Sequence, residues 1–234
     1  MNNSLIDKIR GGLIVSCQAL ENEPLHGSFI MGKMALAAKQ GGAAGIRANG
    51  IEDIRAIKKE VDLPLIGIIK RVYGDNGVFI TPTLREVTEL CAEGVDILAM
   101  DATIRERPDN RSLEESVLFV KREFPNVMLM ADTSNVDEAR IALQLGFDFI
   151  APTLMGYTPY TSGFDISAND FEKLKEYIST RGRVIAEGNI DSPEKARRCL
   201  DLGVLAVVTG GAITRPQLIT KKFTDAMKSF FPST

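Results

Sequence analysis

The sequence predicts an α/β protein of the (β/α)8 barrel class, the TIM barrel, and three observations lead to this prediction. Short apolar runs recur along the 234 residues, with stretches of helical spacing between them. The runs are continuous rather than alternating, which is typical of parallel strands covered on both faces. Eight such repeats fit the roughly 250 residues of this barrel, and that count argues against the alternative, a doubly wound open sheet. We expect one barrel domain over residues 1–234, with a short helical segment at about 2–10.

The eight predicted strands are apolar runs that each end on a polar or small residue. In chain order they are LIVSCQ from Leu13, AGIR from Ala44, LIGIIK from Leu65, ILAMD from Ile97, VMLMAD from Val127, FIAPT from Phe149, VIAEG from Val184 and AVVTGG from Ala206. Apolar residues three or four positions apart predict the helices between them. Two such stripes are Ile51, Ile54, Ile57 and Val61, and Leu113, Val117, Val120 and Phe124. Three helices are expected to end on glycine, in AEGVDIL, QLGFDFI and DLGVLAV.

The repeats differ in length, and the difference points to one end of the barrel. They are either about 21 or about 32 residues long, and the long ones carry extra residues after strands one, three, four and six. All strand-to-helix loops of a barrel lie at its C-terminal face, where active sites are built. We therefore expect the polar strand ends to meet at one mouth. These residues are Gln18, Arg47, Lys70, Asp101, Asp132 and Glu187.

Composition excludes several classes of function. The net charge of −3 with mixed signs gives no basic patch for nucleic acid. No apolar run is long enough for a signal peptide or a membrane span, so we expect a soluble, cytoplasmic protein. Three scattered cysteines and the single histidine, His26, predict no disulfide framework, no metal site and no Ser-His-Asp hydrolysis. Acid–base chemistry must then use carboxylates, lysine, tyrosine or the substrate itself.

The loops after the last two strands predict a phosphate site. Barrels of this class commonly bind phosphate there, together with the N-terminus of a short extra helix. Gly188, Gly210 and Gly211 would let backbone N–H groups approach an anion, and residues 212–214 would open the helix. Arg215 would add a charged donor. The alternative is that these glycines only form turns.

Lys70 is the first candidate for chemistry at the mouth. It follows an apolar run and precedes an inserted loop, and Glu187 is expected on the same face. In a dry mouth beside a cation such as Arg47, a lysine can fall from a pKa of about 10.4 toward about 7–8 and act as a general base. It could equally form a Schiff base with a carbonyl substrate. The alternative is a lysine that merely ends a strand with its ammonium in water.

The remaining strand-end residues leave their roles open. Glu187 and Asp132 could transfer protons or could form salt bridges that order Lys70 or Arg47. Gln18 and Arg47 are best interpreted as hydrogen-bond donors to a substrate carbonyl or amide oxygen. Asp101 could bind sugar hydroxyls or support Lys70.

A resemblance covers essentially the whole chain. The segments GGLIVSCQA, AGIRANG, PLIGIIKRVY, AMDAT, MADTSN, APTLMGYT, VIAEGNI and VVTGGAITRP, in this order, resemble the N-acetylmannosamine-6-phosphate 2-epimerases of bacterial sialic acid breakdown. That family is a (β/α)8 barrel of the ribulose-phosphate-binding group. The resemblance implies interconversion of N-acetylmannosamine 6-phosphate and N-acetylglucosamine 6-phosphate with no redox cofactor and with a phosphorylated amino sugar as the partner.

The resemblance also implies residue roles. Lys70 of GIIKRVY would be the acid/base at C2 of the sugar, and Glu187 of AEGNI would be its partner. Contacts to the N-acetyl group and the sugar would come from Gln18, Arg47, Asp132, Asp101 and Thr153. Contacts to the phosphate would come from Gly188, Asn189, Gly210, Gly211 and Arg215.

Two rival hypotheses remain at this point. One is a Schiff-base aldolase or lyase with Lys70 as the nucleophile, although related barrel aldolases usually carry that lysine on strand six or four, which here end in APT and MDA. The other is a phosphosugar-binding sensor without catalysis, against which the intact Lys70, Glu187 and Arg47 argue. A homodimer is expected only because it is common among barrels of this kind.

Overall fold

The computed structural model describes residues 3–228, and within them eight parallel strands form one barrel sheet. The strands are β1 Leu13–Cys17, β2 Gly45–Asn49, β3 Leu65–Ile68, β4 Ile97–Asp101, β5 Met128–Asp132, β6 Phe149–Ala151, β7 Ile185–Ala186 and β8 Ala206–Thr209. The strand order is β6-β5-β4-β3-β2-β1-β8-β7. A parallel bridge between Ile150 and Val184 joins the two ends, so the sheet closes. The predicted (β/α)8 barrel is confirmed.

Helices alternate with these strands around the barrel. They are α1 Asn3–Ile9, α2 Ser28–Gln40, α3 Ile51–Glu60, α4 Leu84–Glu93, α5 Leu113–Glu123, α6 Val136–Leu145, α7 Ala168–Ser179, α8 Pro193–Leu202, α9 Gly211–Thr214 and α10 Pro216–Lys228. The segment expected at about 2–10 overlaps α1, and residue 2 lies outside the described residues. Between residues 3 and 228, no helix is long and apolar enough to cross a membrane.

Local signals in the sequence set the helix ends. Thr83 and Ser112 cap α4 and α5 with their side chains, and a glutamate three residues later completes each capping box. Gly94, Gly146 and Gly203 end α4, α6 and α8 in the left-handed conformation. Glycine adopts this conformation without the strain that a Cβ would add. The three glycine helix ends predicted from the sequence are therefore confirmed.

The barrel interior has an apolar lower part and a polar upper part. Inward-facing residues alternate along each strand. In the lower part these are Ile14, Ile66, Ile97, Met128, Phe149, Ile185 and Ala206, which pack in one buried cluster. Leu5, Ile6 and Ile9 of α1 belong to the same cluster, so this helix plugs the bottom of the barrel. The same alternation, continued upward, brings the polar side chains to the mouth.

Two predicted strand ends lie elsewhere than expected. Arg47 is the middle residue of β2, not its end. Lys70 lies two residues beyond β3, in an isolated antiparallel bridge with Ile80. The loop after β3 folds back on itself there, with the N–H of Arg71 donating to the carbonyl of Phe79 at 3.0 Å. A single sequence gives no signal for such a pairing, because it depends on the path of the loop.

The three cysteines are free thiols in the packed layers around the barrel. All three are buried. Burial raises the pKa of Cys17 and Cys91 to about 12 and that of Cys199 to about 11. The thiolate form needed for nucleophilic chemistry is therefore scarce at neutral pH.

Gly67 of β3 lies against Leu90 of α4 and against Val95, which follows that helix, and enlarging it is expected to destabilise the fold. A Cβ built on Gly67 would lie 2.5 Å from Cγ1 of Val95 and 3.0 Å from Cδ2 of Leu90. Gly67→Ala should therefore lower the free energy of unfolding by about 1–3 kcal/mol, the usual cost of overpacking. Urea unfolding measures this, with Gly41→Ala as the matched control, because its Cβ would approach no atom closer than 3.4 Å. Equal stability of the two variants would contradict the expected clash.

Candidate active site

A cavity of about 460 Å³ opens at the mouth of the barrel. It brings together ten of the twelve residues predicted for the site. They are Gln18, Arg47, Lys70, Thr153, Glu187, Gly188, Asn189, Gly210, Gly211 and Arg215. Asp101 and Asp132 do not line it. The fold thus brings the predicted polar residues together at one mouth, except for these two aspartates.

Lys70 is held by its backbone and leaves its ammonium unpaired. The N–H of Lys70 donates to Oδ1 of Asn49 at 2.7 Å, and the bridge to Ile80 fixes the residue from the other side. The Lys70 side chain forms no hydrogen bond or ion pair with any of residues 3–228. Burial, and then the nearby cations Arg47 and Arg215, lower the pKa of Lys70 to about 8. A lysine with this pKa can take and give a proton near neutral pH.

Glu187 belongs to a buried ionic triad with Arg47 and Asp132. Nη2 of Arg47 donates to Oδ2 of Asp132 at 2.7 Å, and Nη1 donates to Oε2 of Glu187 at 2.9 Å. The side chains of Arg47 and Asp132 are only 1% and 0% exposed, and that of Glu187 is 13% exposed. Burial raises the pKa of Glu187 to about 7, and the charge of Asp132 adds to this effect, although Arg47 opposes it. The glutamate can therefore exchange a proton in the same pH range as Lys70.

Lys70 and Glu187 approach the cavity from opposite walls. Lys70 follows β3 and Glu187 follows β7, and these strands are four apart in either direction around the closed sheet. A ligand lying across the mouth would present one face to the lysine and the other face to the glutamate. The mouth therefore holds two groups with pKa values near 7–8 on opposite sides of one cavity.

Gln18 presents a different group to the cavity than expected. Its amide Nε2 donates to Oγ of Ser16 at 2.8 Å. Its Oε1 is buried and has no hydrogen-bond partner among the described residues. The sequence-based expectation was a donor to a substrate oxygen, whereas the group left free is an acceptor. It suits an N–H or O–H of a ligand.

The two aspartates outside the cavity have partners of their own. Oδ1 of Asp132 accepts hydrogen bonds from Nη1 of Arg47 at 3.1 Å and from Oγ1 of Thr153 at 2.6 Å. Asp101 accepts from Thr103 at 2.7 Å and from Nη2 of Arg105 at 2.6 Å. Asp132 is thus placed to hold Arg47 and Thr153, and Asp101 belongs to a separate cluster. The geometry does not support the expected contact of either carboxylate with a substrate.

The glycine loops after β7 and β8 meet at one side of the cavity. Gly188 has a φ of +117°, which only glycine adopts readily, and its neighbour Asn189 has a φ of +49°. Gly210 precedes the short helix α9, whose first N–H groups have no acceptor inside the helix. The extra helix expected after strand eight is therefore present. Such N–H groups together with a cation beside them form a typical anion site.

Sequence reasoning missed three contributors to the mouth. Ser16 lines the cavity and orients Gln18, and its inward position two residues earlier on β1 could have revealed it. Glu23 in the loop after β1 forms an ion pair with Arg215. Lys222 of α10 lines the cavity and forms an ion pair with Asp191 at 2.7 Å. The last two ion pairs join distant parts of the chain, so no local sequence pattern predicts them.

No three His, Cys, Asp or Glu side chains in the described part of the chain form a group that could hold a metal ion.

The fold is a (β/α)8 barrel, and at its mouth a lysine with a lowered pKa lies across from a glutamate with a raised pKa. This arrangement is typical of acid–base enzymes built on this fold. The chain belongs to the NanE family, whose model, described as "Putative N-acetylmannosamine-6-phosphate epimerase", matches residues 31–229. This confirms the family resemblance found in the sequence.

Similar proteins cover nearly the full chain. A relative from Listeria monocytogenes serotype 4b (strain CLIP80459) is 58% identical over 97% of this chain and 99% of its own. One from Borreliella afzelii (strain PKo) is 61% identical over 94% and 96%. Both carry the name "Putative N-acetylmannosamine-6-phosphate 2-epimerase". A solved structure of the N-acetylmannosamine-6-phosphate 2-epimerase from Clostridium perfringens is 50% identical, covers 94% of this chain and 95% of that one, and superposes with a TM-score of 0.89.

Proposed function

We propose that this protein interconverts N-acetylmannosamine 6-phosphate and N-acetylglucosamine 6-phosphate by moving the proton at C2. The observation that carries the proposal is the pair Lys70 and Glu187, which face one cavity from opposite walls with pKa values of about 8 and about 7. Family membership and the names of the similar proteins supply the substrate. The reaction exchanges protons only, so it needs no redox cofactor.

The chemistry follows from the acidity of the C2 proton. In the open-chain sugar, C2 lies next to the C1 aldehyde. One group removes the proton, and the electron pair of the broken C–H bond moves into an enolate whose charge resides on the C1 oxygen. The other group delivers a proton to the opposite face of C2, which restores the aldehyde and inverts the centre. The positive charge of Arg47 and of protonated Lys70 stabilises the enolate.

Other residues would hold the two ends of the substrate. We assign the phosphate to the loops that contain Gly188, Asn189, Gly210 and Gly211, with Arg215 as the charged donor. The free Oε1 of Gln18 is a suitable acceptor for the N–H of the acetamido group. Thr153 lines the cavity beside Glu187 and would contact a sugar hydroxyl.

Proton NMR in deuterated water tests the proposed reaction. Incubating N-acetylmannosamine 6-phosphate with the protein should form the gluco epimer and replace the C2 proton by deuterium. N-acetylmannosamine 6-phosphate without protein is the control for spontaneous exchange. A C2 proton that stays in place would refute the epimerase proposal and favour a phosphosugar-binding protein.

The pair is expected to give a bell-shaped pH dependence of kcat/KM. In each direction one group takes a proton while the other gives one, so the active form carries one proton on the pair. Below about pH 7 both groups are protonated, and above about pH 8 neither is. We expect a maximum between these values and a roughly tenfold loss for each further pH unit on either side. Initial rates from pH 5.5 to 9.5 measure it, and a flat profile over this range would contradict paired proton transfer.

We also propose a homodimer, because α10 keeps large apolar side chains exposed in one chain. None of its residues is buried, and Leu218, Phe223 and Met227 are exposed at 46%, 69% and 69%. A second copy offers the same exposed apolar side chains, which suits a two-fold contact that uses one surface twice. Sedimentation equilibrium should give twice the mass of the chain, and Phe223→Glu should give the mass of one chain. A single-chain mass for the wild type would exclude this arrangement.

A further inference from the structure

Glu23 contacts Arg215 with both of its carboxylate oxygens. Nε of Arg215 donates to Oε1 at 2.5 Å, and Nη2 donates to Oε2 at 3.0 Å. Glu23 lies in the loop after β1, whereas Arg215 lies directly after α9, so the pair ties together two loops of the mouth. The two side chains are 17% and 25% exposed, which protects the contact from most of the solvent.

The carboxylate is itself held in place from two further directions. The backbone N–H of Leu20 donates to Oε2 at 2.7 Å, and Nε2 of Gln217 donates to Oε1 at 3.2 Å. The backbone around Glu23 forms a turn, with its N–H donating to the carbonyl of Leu20 at 2.9 Å. The carboxylate of Glu23 is therefore held in one orientation, and the guanidinium of Arg215, which binds both of its oxygens, is held in one orientation as well.

This orientation leaves one guanidinium nitrogen free. Glu23 occupies Nε and Nη2, and Nη1 donates to no acceptor among residues 3–228. A Cβ built on Gly211 would lie 3.8 Å from Nη1, so this nitrogen lies beside the glycine loop that precedes and opens α9. Nη1 of Arg215 thus lies close to the place where backbone N–H groups would meet an anion.

We propose that Glu23 is a positioning residue that aims Nη1 of Arg215 at the substrate phosphate. The inference rests on the proposed function, because it takes the loops after β7 and β8 as the phosphate site. Glu23 does not touch the phosphate in this arrangement. It fixes a donor that is carried on a long, flexible side chain, and it thereby lowers the entropy lost when phosphate binds.

Binding of inorganic phosphate, followed by calorimetry, tests the proposal without depending on catalysis. Glu23→Gln keeps the side-chain shape but can no longer accept from both nitrogens, and we expect Kd for phosphate to rise on the order of 10-fold. Glu60→Gln is the matched control, because it breaks an ion pair with Lys33 that also links two elements but lies far from the mouth. An unchanged Kd in Glu23→Gln would overturn the proposal. A lower Kd would overturn it too, since Glu23 would then compete with phosphate for Arg215.

A double-mutant cycle separates positioning from general loosening of the loop. If Glu23 acts only through Arg215, adding Glu23→Gln to Arg215→Met should change Kd by less than about 2-fold. A further large rise in the double variant would show that Glu23 supports the loop by another route and would overturn the proposal. Thermal unfolding of each variant confirms that it is folded before binding is measured.

Kinetics extend the test to the substrate itself. In Glu23→Gln we expect KM for N-acetylmannosamine 6-phosphate to rise about as much as the phosphate Kd, with kcat nearly unchanged. Conversion of N-acetylmannosamine without phosphate should be equal in the variant and the wild type. A loss confined to kcat would overturn the positioning role. Failure of the wild type to epimerise would refute the proposed function, while the phosphate calorimetry would still decide the role of Glu23.

Discussion

Lys70→Met is expected to lower kcat by about 10³-fold or more, which is the scale of a lost general acid–base group. Methionine has nearly the same length and is apolar, so it fills the space of the lysine stem without a titratable group. Lys70 combines burial with a pKa lowered to about 8, which suits it for proton transfer. In the direction in which Lys70 removes the C2 proton, exchange of that proton with deuterated water should fall together with epimerisation, because both then begin with the same proton transfer.

Two comparisons make the result specific to Lys70. Lys58→Met removes a surface lysine that donates to the carbonyl of Glu93, and it should leave kcat unchanged. Treatment of the wild type with borohydride in the presence of substrate should leave Lys70 unmodified. A covalent adduct on Lys70 would support the Schiff-base lyase instead, and full activity of Lys70→Met would remove this residue from the mechanism.

Arg47→Met is expected to lower the free energy of unfolding by about 3–5 kcal/mol, the usual cost of breaking a buried ion pair by removing one partner. Arg47 is the shared cation of Asp132 and Glu187, and its loss leaves two carboxylates facing each other in a buried place. The variant should also lose activity, since the environment of Glu187 and Lys70 depends on that charge. Urea unfolding at pH 7.5 measures the stability loss.

The pH dependence of this loss identifies its cause. Unpaired buried carboxylates have folded-state pKa values above their unfolded values, so the folded state of the variant binds more protons and gains stability as the pH falls. The difference from the wild type should therefore shrink between pH 7.5 and pH 5. Adding Asp132→Asn to Arg47→Met should recover part of the stability, because the amide can still bond to Thr153 without a charge. A loss below about 1 kcal/mol, or one that is independent of pH, would contradict an electrostatic origin.

Much of the mouth could be predicted because it follows from the strand period. Ile14, Ser16 and Gln18 share one face of the β1 segment, as Ile66, Ile68 and Lys70 share one face of the β3 segment. Side chains alternate between the two faces of a strand, and all eight strands run in the same direction. The polar residues at the strand ends are therefore expected above the apolar ones, even when their contacts are unknown. The assigned roles of these residues stay predictions.

The contacts among these residues could not be predicted, and the reason is geometric. Glu23 and Arg215 are 192 positions apart, so only the closed barrel makes them neighbours. Asp101 has the same strand position as Asp132, yet its carboxylate forms an ion pair with Arg105 instead of Arg47. The amide of Gln18 could point either way until Ser16 fixes it. In each case the sequence predicts which residue faces inward, and the surrounding side chains decide what that residue binds.

Because the three native cysteines are buried, a cysteine introduced at the mouth could be labelled selectively. Cys17, Cys91 and Cys199 are buried with raised pKa values, so maleimides should react with them slowly while the protein is folded. A cysteine placed at Tyr157, which is 70% exposed and lines the cavity, would then be the one readily modified position among the described residues. A fluorophore attached there would report sugar entry and departure in a wild-type background, without first removing any native cysteine.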